Sequence, residues 1–63
     1  MTQKELLYVE DAVCHEESII KILEDTKEKL EDENLKEFIE NDITIHQDMK
    51  EELMNLLEEK VNE

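Results

Sequence analysis

The 63-residue chain has no glycine and no proline, so the commonest interruptions of helices and builders of tight turns are missing. A single cysteine excludes a disulfide within the chain. Tyr8 and Phe38 are its only aromatics, few for the core of a β-sandwich or barrel. Arginine is absent, and seven lysines stand against 20 acids, for a net charge of −13. A surface of that sign repels phosphate backbones and anionic bilayers. Nucleic acid and membrane are therefore not expected as partners, whereas metal ions and basic proteins are electrostatically reasonable ones. No apolar run reaches ten residues, and a bilayer span needs about 20. Met1 to Glu5 lack the basic and apolar regions of a signal peptide. A reduced, cytoplasmic setting is the default expectation. Chains this short bury only about 60% of their unfolded surface. With disulfides excluded, self-association, a metal or both are left to make up the deficit.

What the chain does have is strict helical patterning. Thr2-Gln3-Lys4-Glu5 has the form of a capping box. From Leu6 a 3-4 spacing runs through Val9, Val13, Glu16, Ile20, Leu23, Lys27 and Leu30, which predicts a helix over about 3–31. Glu17 with Lys21 and Asp25 with Lys29 stand at the i,i+4 spacing that suits ion pairs. The run Glu31-Asp32-Glu33-Asn34 interrupts the pattern, and either Asp32 or Asn34 suits the cap of a second helix. That helix is predicted over about 35–61, with Leu35, Phe38, Ile39, Ile45, Met49, Leu53, Leu56 and Leu57 on one face and Ile43, Met54 and Val61 on a flank. A short link between two helices makes them antiparallel neighbours. The fold class expected is all-α: one domain, 1–63, an antiparallel helical hairpin. Its apolar stripes are too broad for one neighbour to cover, extending to Ile19 and Ile22 on the first helix. A helix touching two partners needs such a band. Two hairpins are therefore expected to pair as a homodimeric four-helix bundle.

Three ionisable residues fall inside these stripes: Glu16 in the first, Asp42 and His46 in the second. With the turn near Asp32 and Glu33, Glu16 is expected level with Met49, about one turn from His46, and Asp42 level with Leu23. Two readings follow. In one, Glu16 and His46 form a buried pair that fixes the register of the helices. In the other, Glu16, His46 and Asp42 from both chains hold iron, manganese or zinc, since inward carboxylates and imidazoles are the ingredients of metal sites in bundles. Glu-x-x-His is absent. Asp42-x-x-x-His46 and its echo Asp11-x-x-x-His15 are present instead, and the i,i+4 spacing also keeps both groups on one face. His15 reads as a rim residue, and Cys14 as an exposed thiol in acidic surroundings, unsuited to nucleophilic work. No nucleophile, base and oxyanion set and no Gly-rich phosphate loop appears, so no enzymatic activity and no cofactor is expected.

The run Lys4-Glu5-Leu6-Leu7-Tyr8-Val9-Glu10-Asp11 with His15-Glu16-Glu17, and the run Asp32-Glu33-Asn34-Leu35-Lys36-Glu37-Phe38 with His46 further on, resemble the short ferritin-like hairpins related to the coat F spore-coat proteins of spore-forming Firmicutes. The resemblance covers nearly the whole chain, and its motifs are generic helical ones. It implies a ferritin-like half-bundle that dimerises and a role at the spore coat, with iron handling a property of the wider superfamily. On that comparison Glu16 matches the first-helix carboxylate, and His46 and Met49 stand near the superfamily's Glu-x-x-His. Met49 in place of the His departs from that motif and favours a structural site over a di-iron one. Three functions are thus expected in turn: a non-catalytic structural or coat-related bundle, a ferritin-like metal-binding protein, and an acidic helical adaptor for a basic protein or coat component.

Overall fold

A computed structural model of the chain describes residues 1–61. Residues 62 and 63 of the expected domain lie outside the described residues. The chain forms two helices, α1 (Gln3–Lys29) and α2 (Glu33–Val61), packed against each other as an antiparallel hairpin. Among the described residues, no helix is long and apolar enough to cross a membrane.

The helix ends follow from local chemistry. The Thr2 hydroxyl accepts from the Glu5 N–H at 3.1 Å, and the Thr2 N–H donates to the Glu5 carboxylate at 2.8 Å. This is the expected capping box. That donated N–H, helped by the Thr2 side chain, holds the Glu5 carboxyl below its ordinary pKa. At the far end α1 stops at Lys29, two residues short of the expected end. Leu30 turns extended (φ −85°, ψ 144°), and its N–H returns to the Lys27 carbonyl. The helix α2 starts at Glu33, two residues earlier than expected, because Asp32 provides the cap. Its carboxylate accepts from the N–H groups of Asn34 (2.8 Å) and Leu35 (3.1 Å), and its carbonyl accepts from Lys36. The link is therefore only Leu30 to Asp32, built without a single positive φ. It needs no glycine.

The contact between the helices is a heptad seam. On α1 it runs Leu6, Val9, Val13, Glu16, Ile20, Leu23, Lys27, Leu30; on α2, Lys36, Ile39, Ile43, His46, Lys50, Leu53, Leu57, Lys60. Every one of these sixteen is buried or half-buried. Ile43, expected on a flank, is the most buried hydrophobe at 5% exposure, with Ile20 at 9%. Burying such a side chain contributes about 1.5–3 kcal/mol. The lysines are half-buried in the seam, as long side chains with apolar stems can be, and the ammoniums of Lys27, Lys36 and Lys50 meet the carboxylates of Glu40, Glu33 and Glu17.

A second 3-4 row flanks the first on each helix. On α1 it runs Tyr8, Ala12, His15, Ile19, Ile22, Thr26; on α2, Leu35, Phe38, Asp42, Ile45, Met49, Glu52, Leu56. At about 100° per residue each row lies on the trailing flank of its contact row, and in an antiparallel pair those flanks face the same way. Two shallow grooves agree with this. Tyr8, Val9 and Leu56 line one, and Met49, Glu52, Leu53 and Leu56 line the other. Here the expected single stripe on α2 divides. Ile39, Leu53 and Leu57 turn to α1, whereas Leu35, Phe38, Ile45, Met49 and Leu56 remain exposed, Phe38 by 68% and Ile45 by 55%. The opposite side carries more charge, Glu17, Glu24 and Glu51 among them, although Leu7 and Met54 are also exposed there and a groove lined by Ile20, Met54 and Leu57 opens on it. The hairpin is thus elongated, 47 × 15 × 11 Å, with more exposed hydrophobes on the face of the second rows than on the other.

Candidate functional site

The polar members of the contact seam meet at mid-height. Glu16 follows one turn after Val13 on α1, and His46 one turn after Ile43 on α2, so the seam itself sets them face to face. His46 Nδ1 lies 2.5 Å from Glu16 Oε2. With the proton on Nδ1 the imidazole donates and the carboxylate accepts. Glu16 is the one buried charged residue among those described, at 8% exposure. The side chain of His46 is 21% exposed. No buried polar atom of a described side chain lacks a partner. Burial is tolerable because the pairing replaces the lost hydration.

Asp42 lies one turn before His46 on α2. Its Oδ1 is 3.8 Å from His46 Nε2, beyond hydrogen-bond length but close enough to act through charge. Its side chain is 39% exposed, on the oily side of the slab. The structure thus brings Glu16 and His46, expected about one turn apart, into direct contact, and sets Asp42, expected level with Leu23, beside His46. His15, Cys14 and Met49 are exposed.

Two further ion pairs, both solvent-exposed, bridge the helices. Lys27 Nζ lies 2.5 Å from Glu40 Oε2, and Lys50 Nζ 3.8 Å from Glu17 Oε2. Glu17 therefore reaches across to α2 rather than along α1 to Lys21. Lys50 was not singled out by the apolar pattern. The signal that finds it is the unbroken 3-4 spacing from Lys36 to Lys60.

Glu16, His46 and Asp42 do not by themselves fit a metal ion within one chain. The Glu16 oxygen and the His46 Nδ1 are satisfied by each other. Among the described residues, no group of three or more His, Cys, Asp or Glu side chains is placed to hold one. What the pair can do chemically is lock two helices at one height. Comparison with protein-family models, with curated proteins and with solved structures finds no match to this chain.

Proposed function

We propose that the hairpin is half of a homodimeric four-helix bundle with a structural, non-catalytic role, of the kind the resemblance to coat F proteins implies. The observation that carries this reading is the second row on each helix. It places Phe38, Ile45, Met49, Leu56, Tyr8 and Ile22 on one face, all of them exposed. That face runs along the hairpin, which is 47 Å long. A second copy suits it because the rows have heptad spacing, and helices with two such rows belong in bundles.

Sedimentation equilibrium tests the reading. The expected mass at micromolar concentration is twice the 7.6 kDa of one chain. Ile45→Glu, at a side chain exposed in the single hairpin, is expected to weaken association, so that mass and helical circular dichroism fall together on dilution at a higher concentration than in wild type. A wild-type monomer with full helicity overturns the proposal.

The mid-height position of Glu16 and His46 favours a second reading, metal held between two copies. Face-to-face pairing duplicates the pair at the bundle's centre. Iron, manganese or zinc bound there raises the melting temperature, because a ligand of the folded state alone stabilises it. An unchanged melting temperature removes this second reading.

A further inference from the structure

We infer that Asp42 and Glu52 keep the pairing of two copies weak and reversible, because both carboxylates lie on the face that a second copy covers. The inference rests on the dimer reading above and holds for either orientation of the copies.

Each carboxylate interrupts the exposed apolar row of α2. Asp42 stands between Phe38 and Ile45, and Glu52 between Met49 and Leu56. Asp42 is half-buried in the single hairpin and Glu52 is exposed. Phe38, Ile45, Met49 and Leu56 are all exposed, so a copy that covers them also takes water from the carboxylates set among them. An ionised carboxylate removed from water without a partner is costly, far more so than a neutral amide of the same shape.

The cations of the contact seam are turned elsewhere. The ammoniums of Lys27, Lys36 and Lys50 meet Glu40, Glu33 and Glu17. Glu17 and Glu40 each stand one residue after a seam position, Glu16 and Ile39, about 100° further round and so on the flank away from the second rows. Lys4 lies over the Tyr8 ring at 5.9 Å, and Lys29 follows Thr26, so these two occupy the ends of α1 rather than its middle. Asp42 has His46 Nε2 at 3.8 Å, on a ring already engaged through Nδ1 with Glu16.

A two-fold dimer can join these faces in two ways. Tyr8 and Val9 beside Leu56, and Glu17 opposite Lys50, set the levels. With the axis parallel to the helices, Asp42 comes level with the partner's Ile22 and Glu52 with the partner's Ala12, with the partner's His15 about one turn away. Carboxylates then press on hydrocarbon. With the axis across the helices, Asp42 meets the partner's Glu52, and like charges face each other twice, a juxtaposition that opposes association. Either way the cost falls on the same two residues. The face is oily enough to find a second copy and charged enough to release it.

Sedimentation equilibrium over a dilution series, at one pH and one salt concentration, tests this on the whole chain. The double variant Asp42→Asn with Glu52→Gln is compared with Glu24→Gln with Glu51→Gln, which loses the same two charges from exposed positions on the other side. Both relieve the general repulsion between acidic chains alike, so their difference reports the covered face. The first is expected to lower Kd at least about tenfold more than the second. Glu52→Gln against Glu51→Gln repeats the comparison clear of the His46 contact, and the same direction is expected. Equal shifts in the paired variants overturn the inference and leave the dimer standing. Monomeric masses for wild type and every variant overturn both.

Discussion

Removing one member of the Glu16 and His46 pair at a time should have unequal consequences. His46→Leu leaves the Glu16 carboxylate at 8% exposure with its 2.5 Å partner gone. Orphaning a buried acceptor costs about 1–3 kcal/mol, and more for a charged one. Glu16→Leu leaves an imidazole that is 21% exposed and so within reach of water. It also adds a leucine between Val13 and Ile20 in the seam, so its expected effect is near zero or stabilising. With both replaced, a seam of hydrophobes remains, and such replacements are often neutral or stabilising by about 1–4 kcal/mol. A 63-residue chain has a total stability of about 3–9 kcal/mol, so the His46→Leu loss is a large fraction of it. Urea unfolding at pH 7 and one fixed protomer concentration measures all four members of the cycle. The expected coupling is about 1–3 kcal/mol. Additivity to within about 0.5 kcal/mol, or a Glu16→Leu variant that unfolds as readily as His46→Leu, refutes the view that the pair is a matched buried contact.

The cap assignment gives a second expectation: Asp32→Ala should cost about 0.5–2 kcal/mol, whereas Asn34→Ala should be near neutral, in the same urea titrations. Glu5 sets a pH dependence. Its folded pKa is lowered, so its stabilisation is present above the ordinary carboxylate value of 4.5 and is lost as the pH falls through the lowered folded value. Amide exchange in the first turn of α1 should quicken there in wild type and lose that pH step in Glu5→Gln. Salt separates self-association from the adaptor reading. Chains of −13 charge repel each other, so added salt should tighten the dimer, while binding to a basic protein should weaken as salt rises. A wild-type dimer that loosens with salt contradicts the first expectation.

Much of this architecture is legible in the sequence because helical spacing survives any choice of partner. The capping box at Thr2, the break near Glu31 and the closeness of Glu16 to His46 follow from spacing and a short link, although spacing sets Glu16 level with Met49 and leaves the direct contact to the structure. The cap of α2 does not, because Asp32 and Asn34 are equally able acceptors. Only backbone geometry decides between them. The division of the α2 stripe was also hidden. Counting hydrophobes alone merges Phe38 and Ile45 with Ile39 and Leu57. It also overlooks Lys36 and Lys50, which fill contact positions with their stems. Treating long charged side chains as part-apolar recovers the second row.

A slab 11 Å thick has no inside. Only Ile20 and Ile43 among the described hydrophobes fall below a tenth exposed, so nearly every oily side chain is a boundary waiting for a neighbour. If the proposed dimer forms, folding and meeting a second molecule become one event, and the survival of the fold depends on how many copies surround it. A melting curve recorded without stating the dose of protein then has no fixed meaning. A cell that makes too little of it would hold mostly chains with their greasy side open to proteolysis.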